Sequence, residues 1–189
     1  MITINILSLI IAISFFIIFL ISHYLDRDLN MSQNDYSEHV FGKIGKVVKL
    51  SLISAGVTET FFAINLYLIG EIEASVAMFV ASLGMYMIGF FDFKQDNSFE
   101  TKVHSFGMAL QFSAFPISLL LIRTPIFFKQ TNFWFGLIIL IISLIIGLVH
   151  TFPNLFKIHK RSILEEINIL IMNVWFFVAP LYFLLTLLD

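Results

Sequence analysis

The chain alternates between long apolar runs and short polar connections. The runs fall at 4–21, 49–69, 74–91, 103–122, 133–151 and 167–188, each about twenty residues long. At 1.5 Å per residue, such a run crosses a hydrocarbon core about 30 Å thick. Helix is the element they predict. An unpaired backbone group in lipid costs several kcal/mol, and the runs lack the period-two alternation of a membrane barrel. The connections at 70–73, 92–102, 123–132 and 152–166 are short, which favours antiparallel neighbours. The expected fold is all-α: a polytopic membrane protein with one domain over 1–189, an antiparallel bundle of six transmembrane helices.

The first run competes with a cleaved signal peptide, which would carry a basic start, a shorter apolar stretch and a small-residue cleavage site. Met1-Ile2-Thr3 holds no Lys or Arg, and Ser22-His23-Tyr24 is a poor cleavage site. The run therefore reads as a membrane helix. The connection at 23–48 is the longest. Within it Val40, Phe41, Ile44, Val47 and Val48 recur at helical spacing, with His39, Lys43 and Lys46 on the other side. Two readings fit: a short interfacial helix, or an early start of the second span.

Composition agrees with the runs. Apolar residues make up 59% of the chain and charged residues 13%, against about 45–50% and about 25% in soluble domains. Membrane lipid is thus the first partner. A net charge of −2 gives no footprint for nucleic acid. The chain has no cysteine, which excludes disulfides, thiolate metal sites and a cysteine nucleophile. The odd connections carry Arg27, Lys43, Lys46, Lys49, Lys94, Lys102, Lys157, Lys160 and Arg161, whereas the even ones hold Arg123 and Lys129. Basic residues favour the cytoplasmic side, so the odd connections are expected there and both termini outside.

Polar groups inside the runs are the candidate chemistry. Glu59 sits near the middle of the second span, between Thr58 and Thr60. A carboxylate at that depth costs on the order of 3 kcal/mol, which marks it as a functional candidate. Gln111 in the fourth span and Asn173 in the sixth lie at similar depths, with Tyr86 shallower in the third. Glu59, Tyr86, Gln111 and Asn173 are expected to meet as a ligand-binding cluster roughly 9–15 Å below the cytoplasmic surface. The competing reading is packing, because interhelical hydrogen bonds of about 0.6 kcal/mol each commonly fix membrane helices. Ala74, Ala77, Ala81 and Gly84 form a small-residue stripe on the third span. His104, Gly107, Gln111, Ala114 and Ser118 form another on the fourth. Such stripes let helices approach closely and are expected to face each other or a shared cavity.

A second set gathers at the cytoplasmic rim: Asp92, Asp96, His104, His150, Glu165 or Glu166, and His39. Asp92 with His104 is the candidate catalytic pair, since histidine and carboxylate can do acid–base work. No metal-ligand spacing is present, so neither a metal site nor a cofactor is expected. Glu165 and Glu166 suit a helix N-terminus. No serine sits in Gly-x-Ser-x-Gly, and Gly42 and Gly45 lack the rest of a phosphate-binding loop. Pro116 and Pro180 interrupt the fourth and sixth spans. Trp134, Trp175 and Tyr182 fit interface anchoring or packing.

Several short motifs carry a family likeness: Tyr36-Ser37 after the first long loop, Gly89-Phe90-Phe91-Asp92 leaving the third span, His104 with Gly107 opening the fourth, and Glu166 through Trp175. With six spans they resemble the prokaryotic domain of unknown function 998. A more distant similarity is to eukaryotic six-span proteins of the Frag1/DRAM/Sfk1 type. Where that family tends to show Ser-Asp-Leu-Gly after Tyr-Ser, this chain reads Phe41-Gly42-Lys43-Ile44-Gly45, and its loop after the third span has no proline. The resemblance implies an architecture and a prokaryotic plasma (inner) membrane, and no reaction. Three functions are expected to compete. One is a non-catalytic protein that binds or passes a small molecule, ion or lipid. Another is an assembly or regulatory subunit with a homo-oligomeric or membrane partner. The third is an intramembrane lipid-directed hydrolase.

Overall fold

A computed structural model describes residues 2–25, 45–92, 98–123 and 161–186, and the helical positions 134, 136–138, 140–142 and 144–145. All regular structure among them is helical. The helices are α1 (Ile2–Leu25), α2 (Gly45–Leu68), α3 (Ile72–Phe90), α4 (Phe99–Leu121) and α5 (Arg161–Thr186). Among the described residues, α1 to α4 are long and apolar enough to cross a membrane, with spans of 19 to 24 residues or roughly 28–36 Å. α5 carries a shorter apolar stretch, Ile169–Leu185. The described positions of the fifth run are helical; its remainder lies outside the described residues.

The helices begin earlier than their apolar runs. α2 starts at Gly45, so residues 45–48 extend the second span, while 40–44 lie outside the described residues. α4 starts at Phe99, where the Ser98 hydroxyl accepts from the Thr101 N–H at 3.3 Å and caps the first turn. α5 is described from Arg161 onward, with Glu165 and Glu166 inside that helix and their side chains outside the described residues. The turn from α2 to α3 is closed by glycine in the left-handed region. Gly70 has φ +86. Its N–H donates to the Tyr67 carbonyl at 3.0 Å, and the Glu71 N–H donates to that of Leu66 at 2.9 Å. This pair of bonds uses carbonyls that the last helical turn would leave free.

The bundle carries polar side chains inside, among a larger apolar core, and large apolar side chains outside. Asn5 and Ser8 on α1, Thr58, Glu59 and Asn65 on α2, and His104, Gln111 and Ser118 on α4 are buried. Ile10 and Ile17 on α1, Leu50 on α2, Val76 and Phe79 on α3, Phe106 on α4 and Val174 on α5 are exposed. A soluble domain keeps fewer large apolar side chains on its surface and fewer polar ones in its core. The pattern fits faces that meet hydrocarbon and an interior that gathers the polar groups. The protein is therefore an all-α polytopic membrane protein.

Consecutive helices pack side by side. α1 lies against α2, α2 against α3, and α3 against α4, while α5 returns to α1 and α2. Phe115 of α4 meets Phe176 of α5 edge-on at 5.6 Å, and Phe62 of α2 meets Trp175 at 6.2 Å. Trp175 is thus packed in the core. α3 and α4 approach closest at two glycines. A Cβ on Gly84 would stand 2.6 Å from the Gly107 carbonyl oxygen, and one on Gly107 would stand 2.8 Å from that of Gly84. The two small-residue stripes do face each other. Ser118 closes the end away from His104 by donating to the Ala74 carbonyl at 2.7 Å.

Candidate functional site

Glu59 is fully buried in the middle of the bundle. Fourteen residues separate it from the start of α2 and nine from the end, or roughly 21 Å and 14 Å along the axis. Gln111 lies twelve residues into α4, roughly 18 Å from its start. Both sit deeper than the apolar runs suggest, because both helices begin earlier. The Gln111 carboxamide nitrogen donates to Glu59 Oε1 and so joins α4 to α2. Glu59 Oε2 and the Gln111 carbonyl oxygen are buried without a hydrogen-bond partner among the described residues. A carboxylic acid facing a carboxamide can make two reciprocal bonds, so one proton on Glu59 would complement both oxygens.

Tyr86 belongs to the same neighbourhood but bonds to a different group. Its hydroxyl lies 3.0 Å from Thr60 Oγ1, which donates at 2.9 Å to the Gly56 carbonyl. Its ring lies over Gly56, where a Cβ would come within 2.9 Å of it. Tyr86 therefore ties α3 to α2 beside Glu59. Asn173 is on α5, and its side chain lies outside the described residues.

A cavity of about 40 Å³ opens between four of these helices and α1. Gln111 forms part of its wall with Met85, Met108, Met172, Phe15 and Phe176, and among the described residues every other lining side chain is apolar. That volume exceeds the roughly 10–15 Å³ that a single water needs and falls far below the roughly 300–1,000 Å³ of drug-sized pockets.

The rim residues have separate partners. Asp92 accepts from Lys49 Nζ at 2.9 Å, both side chains being about a third exposed. His104 Nδ1 lies 2.6 Å from the Phe91 carbonyl oxygen, which requires the proton on Nδ1. Among the described residues no three His, Cys, Asp or Glu side chains gather as a metal site. His39, Asp96 and His150, and the side chains of Glu165 and Glu166, lie outside the described residues.

Two polar contacts at the other end were not singled out from sequence. Asn65 Nδ2 donates to Asn5 Oδ1 at 2.7 Å, both buried, linking α2 to α1. Glu71 accepts the Arg123 backbone N–H through both oxygens at 3.2 Å. A lone asparagine in each of two apolar runs was the available signal for the first.

No curated protein and no solved structure matches the chain. A family profile does: it covers residues 9–182, nearly the whole bundle just described. The chain belongs to the family described as protein of unknown function DUF998.

Proposed function

We propose that this is a non-catalytic membrane protein that binds or passes a small ligand inside its helix bundle, at Glu59 and Gln111. The observation that supports this most is the mid-bundle acid itself. Glu59 is fully buried, is bonded to Gln111 through one oxygen, and sits behind the wall of a cavity. An ionisable side chain at that depth usually marks a ligand or proton site. The cavity volume of about 40 Å³ favours a proton, an ion or a very small molecule over a lipid head group. The bonds of Asp92 to Lys49 and of His104 to the Phe91 carbonyl give no support to a hydrolase at the rim.

In this reading the chain forms one six-span domain in a prokaryotic plasma membrane, with the odd connections in the cytoplasm and both termini outside. The test is flux into liposomes that contain the purified protein, followed for protons and monovalent cations. Wild type should exceed empty liposomes, and Glu59→Gln and Glu59→Leu should both lose the excess. Equal flux in all three proteins, or none in wild type for any ion, would remove Glu59 from a transport role, and absence of saturable ligand binding as well would sink the proposal.

A further inference from the structure

We propose that the central cavity is a site for a soft monovalent cation, copper(I) or its analogue silver(I), held by Met85, Met108, Met172 and the Gln111 carbonyl oxygen. The inference rests on the small-ligand reading above and names the ligand's chemistry. Size comes first: about 40 Å³ admits an ion or a few water-sized groups. Polarity comes second. Buried water seeks two to four polar partners, and among the described lining residues Gln111 alone has a polar side chain. The available donors come third. One methionine comes from each of α3, α4 and α5, so three methionines line one small space. Thioether sulfur is a soft ligand that selects copper(I) over the hard cations. Methionine is also a common gap filler in cores, which is the alternative to be tested.

Charge comes fourth. A cation among neutral ligands in a low-dielectric interior needs a counter-charge. Glu59 stands one hydrogen bond behind the Gln111 carboxamide and is positioned to supply it. In this arrangement Gln111 turns its otherwise unpartnered oxygen to the metal while its nitrogen stays on Glu59. Glu59 acts as a positioning residue.

The experiment uses the full chain in lipid nanodiscs, titrated with silver(I), a probe that needs no reductant. Metal retained per chain is counted, and X-ray absorption reports sulfur neighbours. Wild type should show one saturable site with sulfur neighbours. The triple variant Met85→Leu, Met108→Leu, Met172→Leu should lose it, at nearly conserved volume. The control Met78→Leu, Met87→Leu, which alters methionines that do not line the cavity, should keep it. Glu59→Gln should weaken binding by about 10- to 100-fold, the range for an outer-shell partner. Equal silver retention in wild type and the triple variant, or no saturable site in wild type, overturns the assignment. Failure with silver alongside Glu59-dependent flux of protons or alkali cations would remove the soft cation and leave the small-ligand reading standing. Failure of both would remove both.

Discussion

Adding one methyl at Gly84 should push α3 and α4 apart where they seat Gln111. The new Cβ would lie 2.6 Å from the Gly107 carbonyl oxygen and 2.8 Å from the Gln111 backbone nitrogen. Ordinary contact begins at 3.4 Å, so the helices must part by roughly 0.8 Å, the difference between 3.4 and 2.6. Both obstructing atoms are backbone, and no rotamer change relieves them. Overpacking of this kind costs about 1–3 kcal/mol. Gly107→Ala meets the mirror contact, 2.8 Å from the Gly84 oxygen, together with Met87 Cβ at 2.7 Å. Once one methyl has separated the helices, the second finds part of its space already made. The double variant should therefore cost less than the sum, with a coupling of at least about 0.5 kcal/mol. Unfolding in detergent mixtures titrated with dodecyl sulfate, followed by far-ultraviolet circular dichroism, measures all four proteins. Ser105→Thr, exposed on α4, adds a methyl and should stay within about 0.5 kcal/mol of wild type. A Gly84→Ala protein as stable as wild type, or strict additivity in the double variant, would refute the close-approach reasoning.

Glu59→Gln keeps an oxygen for the Gln111 donor and should unfold within about 0.5 kcal/mol of wild type, whereas Glu59→Leu strands a buried carboxamide and should lose about 1–3 kcal/mol. Asn65→Leu leaves Asn5 without its donor and should destabilise by more than the Asn5→Leu, Asn65→Leu double variant, in the same unfolding assay. Lys49→Ala and Asp92→Ala should show a coupling below about 1 kcal/mol that shrinks further in salt, because both side chains are partly exposed. Gly70→Ala meets no atom within 4 Å, yet its φ of +86 should cost about 1 kcal/mol.

The membrane architecture was legible in hydropathy because lipid punishes open backbone and leaves long apolar helices as the simple solution. Helix starts were less legible. Gly45-Lys46 and the turn after Ser98 are polar helical residues that hydropathy reads as loop. Glu59 and Gln111 consequently lie deeper than their distance along the apolar run suggests. That both are buried polar groups could be read from sequence; that they bond to each other needed the packing of α2, α3 and α4. Tyr86 carried the same polar signal and reaches Thr60 instead, because its hydroxyl extends past the Gly56 surface. Asn5 and Asn65 were as visible as Gln111, but only the bundle brings the start of α1 to the end of α2.

Packing alone does not require an acid at position 59. α2 already holds α1 through Asn65 and Asn5, and holds α3 through Thr60 with Tyr86 and through the Ala63 carbonyl, which accepts from Ser75 at 2.8 Å. A further interhelical bond adds about 0.6 kcal/mol on average. A charged carboxylate at mid-membrane costs on the order of 3 kcal/mol. A glutamine would accept the same hydrogen bond from Gln111 without an ionisable group. What the carboxyl has and the carboxamide lacks is the ability to hold or release a proton, and with it to hold a negative charge beside the cavity. If the acid serves that purpose, Glu59→Gln should leave unfolding nearly unchanged while ligand binding or ion flux falls. If it serves only to fasten α2 to α4, the same variant should leave both unchanged.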